Sequence, residues 1–232
     1  MICAIHQPQT FPYIGYFAKI IQSDIFVFFD DVQFKKNEWQ NRNRIKTDKG
    51  WMWLTVPVIH KFGQKINEVQ INNKDNWKKK HINTFYTYYR KAPYFNEIIK
   101  NLEEIYSRDY DKLLDFNITT IKWILDYLKI NKKIIFSSKL NYNPDGKQMS
   151  ADEKIISILK IIGANTYISG IGAKDYLNTK LFDKENIKVV FQDFKHPVYH
   201  QLYGEFTPNL SIIDLLFNEG KKSVDIISRK MK

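Results

Sequence analysis

Ile2-Cys3-Ala4-Ile5-His6-Gln7-Pro8 and Asp24-Ile25-Phe26-Val27-Phe28-Phe29-Asp30-Asp31 are the two stretches from which the rest of the chain is read. Each is a short apolar run that ends in polar residues, and runs of this length without polar alternation suit strands covered on both faces. Between them, Pro8 and Pro12 cannot donate to a sheet ladder, and Pro12 suits the first turn of a helix that continues through Tyr13-Ile14-Gly15-Tyr16-Phe17-Ala18-Lys19-Ile20-Ile21. Strand, turn, helix and strand in this order open a parallel α/β sheet. In such sheets ligands gather at the carboxyl ends of the strands, where helix N-termini offer unpaired N–H groups to phosphates. His6, Gln7, Asp30 and Asp31 stand at that mouth, with Tyr16 on the first helix behind it. Gly15 marks a close pass of that helix against backbone or ligand, packing being the commoner reason.

The segment from Val32 to Lys46 has neither helical nor alternating periodicity, yet it is dense in amides, arginines and an aromatic ring. Loops that carry function have this composition. Gln33, Asn37, Trp39, Asn41, Arg42 and Arg44 are its candidate ligand contacts. Trp51 to Val58 and Lys65 to Ile71 both suit strands, with Phe62-Gly63 as the turn of a hairpin between them and Pro57 marking an edge. From Lys74 the period changes to that of helices. Trp77, Ile82, Phe85 and Tyr89 are followed by a break at Ala92-Pro93, a second run from Phe95 to Tyr106, and a third helix from about Tyr110 to Leu128.

Beyond this insert the βα alternation resumes. Lys133 to Ser137 reads as a strand, and Ser150-Ala151-Asp152-Glu153 has the spacing of a capping box for a helix that stops at Gly163. Thr166 to Ser169 is a strand whose end, Gly170-Ile171-Gly172-Ala173, is expected to begin another helix. A glycine-rich turn of this kind lets backbone N–H groups approach a phosphate, and it is equally an ordinary tight turn. Ile187 to Gln192 gives the last strand. After it, Asp193 to Phe206 is a second aperiodic stretch rich in functional side chains, His196, Tyr199 and Gln201 among them. His196 and His200 do not make a zinc pair, because Pro197 breaks a helical i, i+4 arrangement and no further ligand is evident; no metal site is expected. Ser211 caps a helix ending at Gly220, and a basic helix runs on to Lys232. The fold class that follows is α/β, a mostly parallel Rossmann-like sheet in a single domain over residues 1–232, with a helical insert at about 74–130.

The 232 residues are 44% hydrophobic, and no apolar run approaches the ~18 residues that span a bilayer. The expectation is a soluble cytoplasmic protein without membrane insertion. The one cysteine, Cys3, lies in a strand, so no internal disulfide forms and a buried hydrophobe is the natural reading. The net charge of +11 favours polyanionic partners such as nucleic acid or a nucleotide diphosphate, although the Lys-, Asn- and Ile-rich composition of an AT-rich genome inflates charge by itself. Lys78-Lys79-Lys80-His81 is a basic run that reads either as a nucleic-acid patch or as a solvated helix face.

Ile5-His6-Gln7-Pro8, Pro12-Tyr13-Ile14-Gly15-Tyr16, Asp30-Asp31-Val32-Gln33-Phe34, Asn41-Arg42-Asn43-Arg44-Ile45, Ile168-Ser169-Gly170 and His196-Pro197 with Tyr199 and Gln201 together resemble the WbqC-like protein family. The resemblance covers essentially the whole chain. It implies a role in bacterial O-antigen or other surface polysaccharide biosynthesis, as an acyl or glycyl transferase acting on an amino sugar. It also favours the phosphate or carboxylate reading of Ser169, Gly170, Gly172 and Lys174. A looser resemblance is to adenylate-forming nucleotidyltransferase-like folds such as pantothenate synthetase, with Tyr13-Ile14-Gly15-Tyr16 where that fold carries His-x-Gly-His; both histidines are absent here. It implies ATP as the one candidate cofactor.

The expected enzyme is thus an N-acyltransferase or aminoacyltransferase whose partners are a nucleotide-linked, dTDP-type amino sugar and a small acyl or amino-acid donor. His6 or His196 would take the proton from the sugar amine, with Asp30 as a third candidate catalytic group. Arg42, Arg44 and Lys174 would hold the diphosphate, and aromatic rings would stack on the base. Two other readings stand beside it: an ATP-dependent amide ligase working through an acyl-adenylate, and a module that binds tRNA or another nucleic acid.

Overall fold

The computed structural model describes residues 1–228; the expected basic helix to Lys232 lies outside the described residues from position 229 onward. The chain opens with β1 (Ile2–His6), α1 (Ile14–Gln22) and β2 (Ile25–Phe28). A hairpin of β3 (Arg42–Thr47) and β4 (Gly50–Thr55) follows, and then the short antiparallel pair β5 (Val58–Ile59) and β6 (Gln70–Ile71). The insert consists of α2 (Trp77–Tyr89), α3 (Phe95–Ser107) and α4 (Leu113–Tyr127). The second half contributes β7 (Lys133–Phe136), α5 (Ala151–Ile162), β8 (Thr166–Gly170), α6 (Thr179–Lys184), β9 (Lys188–Gln192), α7 (Ile212–Glu219) and α8 (Ser223–Ser228).

Five strands form one parallel sheet in the order β7-β2-β1-β8-β9, a Rossmann-like α/β architecture with β1 at its centre. Side chains alternate across this sheet. Ala4, Phe26, Phe28 and Ile168 face a core shared with α1, α7 and the helical insert. Cys3, Ile5, Ile25, Val27 and Tyr167 face a second core shared with α5 and α6. From β1 the chain reaches β2 through α1 on one face, and from β8 it reaches β9 through α6 on the other. Since β1 and β8 are neighbours, the strand order reverses between them, and the crevice beyond their carboxyl ends is where open α/β sheets bind ligands.

Local signals end the helices as expected. Ser150 Oγ accepts from Glu153 N (3.2 Å) and Ser150 N donates to Glu153 Oε2 (2.7 Å), closing the capping box of α5, and Gly163 ends that helix at φ +70°. Two expectations change. Residues 51–58 pair chiefly with Arg42–Thr47, not with 65–71, because Asp48-Lys49 make a two-residue connection that Gly50, at φ +112°, completes. What is left of the expected hairpin is β5 with β6. The helix expected from Gly170 is a single tight turn over Ile171–Ala173, and α6 starts only at Thr179; Gly172 in that turn is a poor helix former.

Candidate functional site

His6 ends β1 with Nδ1 3.1 Å from the carbonyl oxygen of Gln7. A carbonyl only accepts, so Nδ1 carries the ring proton and Nε2 keeps its lone pair. Tyr16 secures the same turn: its hydroxyl donates to Gln7 O (3.1 Å), and its ring meets the imidazole edge-on at 4.8 Å. Gln7 is held in turn by Gln40, whose Nε2 donates to Gln7 Oε1 (2.7 Å). Gly15 allows α1 to start here, since a Cβ at that position would overlap the ring of Tyr13. Gln192, at the end of β9, donates to Gly15 O (3.2 Å) and joins the outer strand to this corner.

A residue that the sequence reading passed over completes the corner. Lys19, on α1, is 3% exposed and has no ion pair or hydrogen bond among the described residues. Burial lowers its pKa to about 8. Burial first and the charge of Lys19 second lower His6 to about 3, so the imidazole, expected from the sequence to titrate near neutrality, stays neutral through the physiological range. The available signal was that Lys19 is the sole charged residue within Ile14 to Ile21.

The second half of the site is the β3–β4 hairpin. One face buries Asn43, Ile45 and Leu54, and the other aligns Arg42, Arg44 and Lys46 with Trp51 and Trp53. Arg42 Cζ lies 4.0 Å from the centroid of Trp53, and Arg44 Cζ lies 5.1 Å from that of Trp51 and 5.5 Å from that of Trp39. Both guanidinium groups are therefore stacked on rings, and no carboxylate pairs with either among the described residues. Trp39 and Trp51 remain 38% and 44% exposed. Arg44, Trp39 and Tyr13 wall a cavity of about 330 Å³ into which Gln9, Asn43 and Asn209 also face, at the small end of the size of ligand pockets. Gln9, Tyr13, Trp51 and Trp53 are further residues here that the sequence reading did not single out.

The first 46 residues and the loop beyond β9 adjoin, as their strand-end positions suggested. Arg44 Nη2 donates to Asn209 O (3.1 Å), Lys46 Nζ donates to Glu205 O and to Thr207 Oγ1 (2.8 Å), and Tyr13 meets Phe194 edge-on at 6.2 Å. The two histidines occupy different surroundings. His196 lies among Phe194, Tyr199 and Phe206, its Nδ1 2.9 Å from Pro197 O and its Nε2 buried without a partner. Burial lowers its pKa as well.

Other sequence candidates are engaged in holding the fold. Tyr199 OH (2.8 Å) and Gln201 Nε2 (2.9 Å) donate to Asp214 Oδ2, and Tyr89 OH donates to Asp214 Oδ1 (3.0 Å), so the expected ligand contacts Tyr199 and Gln201 sit in a buried network. Asp30, buried, accepts from Ser138 N (3.0 Å) and Ser138 Oγ (2.6 Å), and Ser137 Oγ donates toward the carboxylates of Asp30 and Asp31. Asp31 also accepts from Tyr142 OH (2.7 Å). The carboxylates thus clamp the exit of β2 to that of β7, one strand away from His6. Asn41 is buried between Asn37 N and Val56 O, and Gln33 bridges to Lys65. In the glycine-rich segment, Gly170 faces the His6 side, Ser169 is buried on the opposite face, and Gly172 and Lys174 are exposed. His81 of the basic run is enclosed, bonded to Tyr106 OH (2.8 Å) and Thr55 O (2.9 Å), while Lys78 and Lys80 pair with Asp109 and Asp75. That run is a helix face, with its histidine in the core. No group of three or more metal-ligating side chains occurs among the described residues, and none of their helices is long and apolar enough to cross a membrane.

A five-stranded parallel sheet whose order reverses between β1 and β8, with His6 and Lys19 near that point and an arginine–tryptophan hairpin beyond, defines a Rossmann-like α/β protein. The chain belongs to the WbqC-like protein family, whose model matches residues 7–226. It is similar to a protein of Mycobacterium tuberculosis named "Uncharacterized protein Rv1507c", with 37% identity over 229 residues that cover 97% of this chain and 96% of the relative. No solved structure matches it.

Proposed function

We propose that this protein is a transferase that forms an amide on the amino group of a nucleotide-linked, dTDP-type amino sugar, by acyl or glycyl transfer in the biosynthesis of a bacterial surface polysaccharide. The observation that carries the reading is the free Nε2 of His6, held by Gln7 and Tyr16 at the reversal point of the sheet, with Gln7 joined through Gln40 to the segment that leads into the arginine–tryptophan wall. The amine nitrogen attacks the acyl carbonyl carbon, the new C–N bond forms, and the bond to the donor's leaving group breaks. His6 Nε2 takes the amine proton and returns it to the leaving group. Arg42 and Arg44 bind the diphosphate, and Trp39 with Tyr13 encloses the base or sugar in the adjoining cavity. An ATP-dependent ligase that first makes an acyl-adenylate would use the same corner.

The decisive experiment incubates the protein with a panel of nucleotide-linked amino sugars, glycine, ATP and small acyl donors, and looks by mass spectrometry for a new amide. Absence of product from every combination would remove the transferase reading. The Arg42→Ala and Arg44→Ala variants are expected to weaken nucleotide-sugar binding by roughly 1.5–3 kcal/mol each, as for loss of a charged hydrogen bond, with little change in melting temperature. Unchanged binding by both would take them out of the site.

The exposed Trp39 and Trp51 beside stacked arginines, on a chain of charge +11, support a second reading as a binder of single-stranded nucleic acid, tRNA included. Salt separates the two. Binding of RNA collapses steeply as salt rises, whereas a pocketed sugar nucleotide with two phosphates loses far less.

A further inference from the structure

Lys19 is a buried lysine that the proposed transfer does not use and that, unlike Asp30 and Asp214, has no side-chain partner among the described residues. Its stem is buried on the sheet-facing side of α1, and its ammonium, which has no hydrogen-bond or ion-pair partner among the described residues, keeps some accessible surface. The space in front of it is defined by Gly170 at the end of β8. A Cβ placed on Gly170 would have Lys19 Nζ at 3.4 Å and no other atom within 4 Å outside its chain neighbours. Gly170 has φ −70° and ψ 148°, an ordinary extended conformation, so the backbone itself does not call for glycine. What the missing side chain leaves is room beside one ammonium group, at the strand pair where the sheet reverses.

We propose that Lys19 Nζ, facing Gly170 beside His6, binds a small anionic group, a phosphate or a carboxylate, that enters between the ends of β1 and β8. The site stands on this geometry and does not depend on the transferase reading. It is separate from the arginines of the hairpin, so a substrate with a diphosphate on Arg42 and Arg44 leaves Lys19 for the anion of a second ligand. In an acyl transfer that second ligand is the donor, and its anion would be the carboxylate of an amino acid or the phosphate of an activated acyl group.

Occupancy also acts on the neighbour. The charge of Lys19 is one of the two causes that depress His6, and an anion on Lys19 offsets it, so a bound donor makes His6 a stronger base. The imidazole is thereby a reporter of the site.

The test titrates inorganic phosphate in one arm and acetate in the other into protein with ¹⁵N-labelled histidine, following the His6 ring signals. A saturable shift in either arm is expected, and the arm that saturates at lower concentration identifies phosphate or carboxylate as the preferred group. Lys19→Met is expected to weaken that binding about tenfold to a hundredfold, the effect of losing a charged hydrogen bond. Gly170→Ala fills the space beside Nζ and is expected to weaken it too, and it decides the matter if Lys19→Met does not fold. Saturation in neither arm, or equal binding by wild type and both folded variants, overturns the proposal. Because no turnover is measured, failure here leaves the transferase reading untouched, and loss of that reading leaves this one.

Discussion

On the proposed transferase reading, replacing His6 by glutamine is expected to lower turnover by about 10²–10⁴ while leaving the binding of the nucleotide-linked amino sugar intact. Glutamine can keep a hydrogen bond to the Gln7 carbonyl, but its amide has no basic nitrogen to take the proton of the attacking amine. The pH profile is part of the expectation. With a pKa of about 3 in the empty site, His6 stays unprotonated from well below neutrality upward, so turnover should show no loss from its protonation between about pH 5 and 8, where an ordinary histidine would titrate. If His6 only braces the turn formed by Gln7 and Tyr16, the variant will melt earlier and the fraction that stays folded will turn over normally. The base would then be sought at His196, whose Nε2 is buried without a partner.

The second large effect is on acid stability. His81 is enclosed between Tyr106 and Thr55, and burial lowers its pKa to about 4; His6 behaves similarly, at about 3. The unfolded chain protonates both near 6.5, and the native state does not until far lower. Protons are therefore taken up by the unfolded state first as pH falls, so the stability these residues contribute is present above about pH 6.5 and lost between there and about pH 3–4. At about 1.4 kcal/mol per unit, the enclosed His81 accounts for on the order of 3 kcal/mol. His6 is partly accessible at the crevice and is weighted lower. Asp214 works the other way. Burial raises its carboxyl to about 6, so its contribution is full below about pH 4 and lost as pH rises through 6. The gain at Asp214 is comparable to the loss at His81, so the net loss on acidification is smaller than the histidine contributions alone. Denaturant titrations at stepped pH check it: His81→Gln should flatten the slope of stability between about pH 4 and 6.5, and an unchanged slope would show that another group governs acid unfolding.

Much of the frame was legible in the sequence because it depends on neighbours in the chain. Unbroken apolar runs at Ile2 to Ile5 and Ile25 to Phe29 gave buried parallel strands, Pro12 preceded α1, and Ser150 with Glu153 and Gly163 bracketed α5. The helical period from Trp77 to Tyr127 marked the insert, and the strand ends placed His6, Gln7, Asp30 and Asp31 on one edge of the sheet. The arginines and Trp39 were visible as an amide-rich, aperiodic segment. Its alternation was hidden because Asn43, a polar residue, takes an inward position of β3 and is satisfied there by the carbonyls of Thr10 and Phe11.

What tertiary structure decided is which polar groups meet. Asp214 lies 125 residues from Tyr89, and its hydrogen bonds to Tyr89, Tyr199 and Gln201 turn two candidate ligand contacts into core. Asp30 is matched by Ser138 across 108 residues. Lys19 reads as one cation in an apolar helix until β8, crossing from the far side of the chain, sets Gly170 in front of it. Protonation follows the same rule: the sequence supplies an imidazole near 6.5, and only the enclosure of that ring and the charge beside it move it to about 3. Strand and helix arise from patterns a few residues long, whereas desolvation and pairing depend on which distant segments pack together, and no local pattern encodes that.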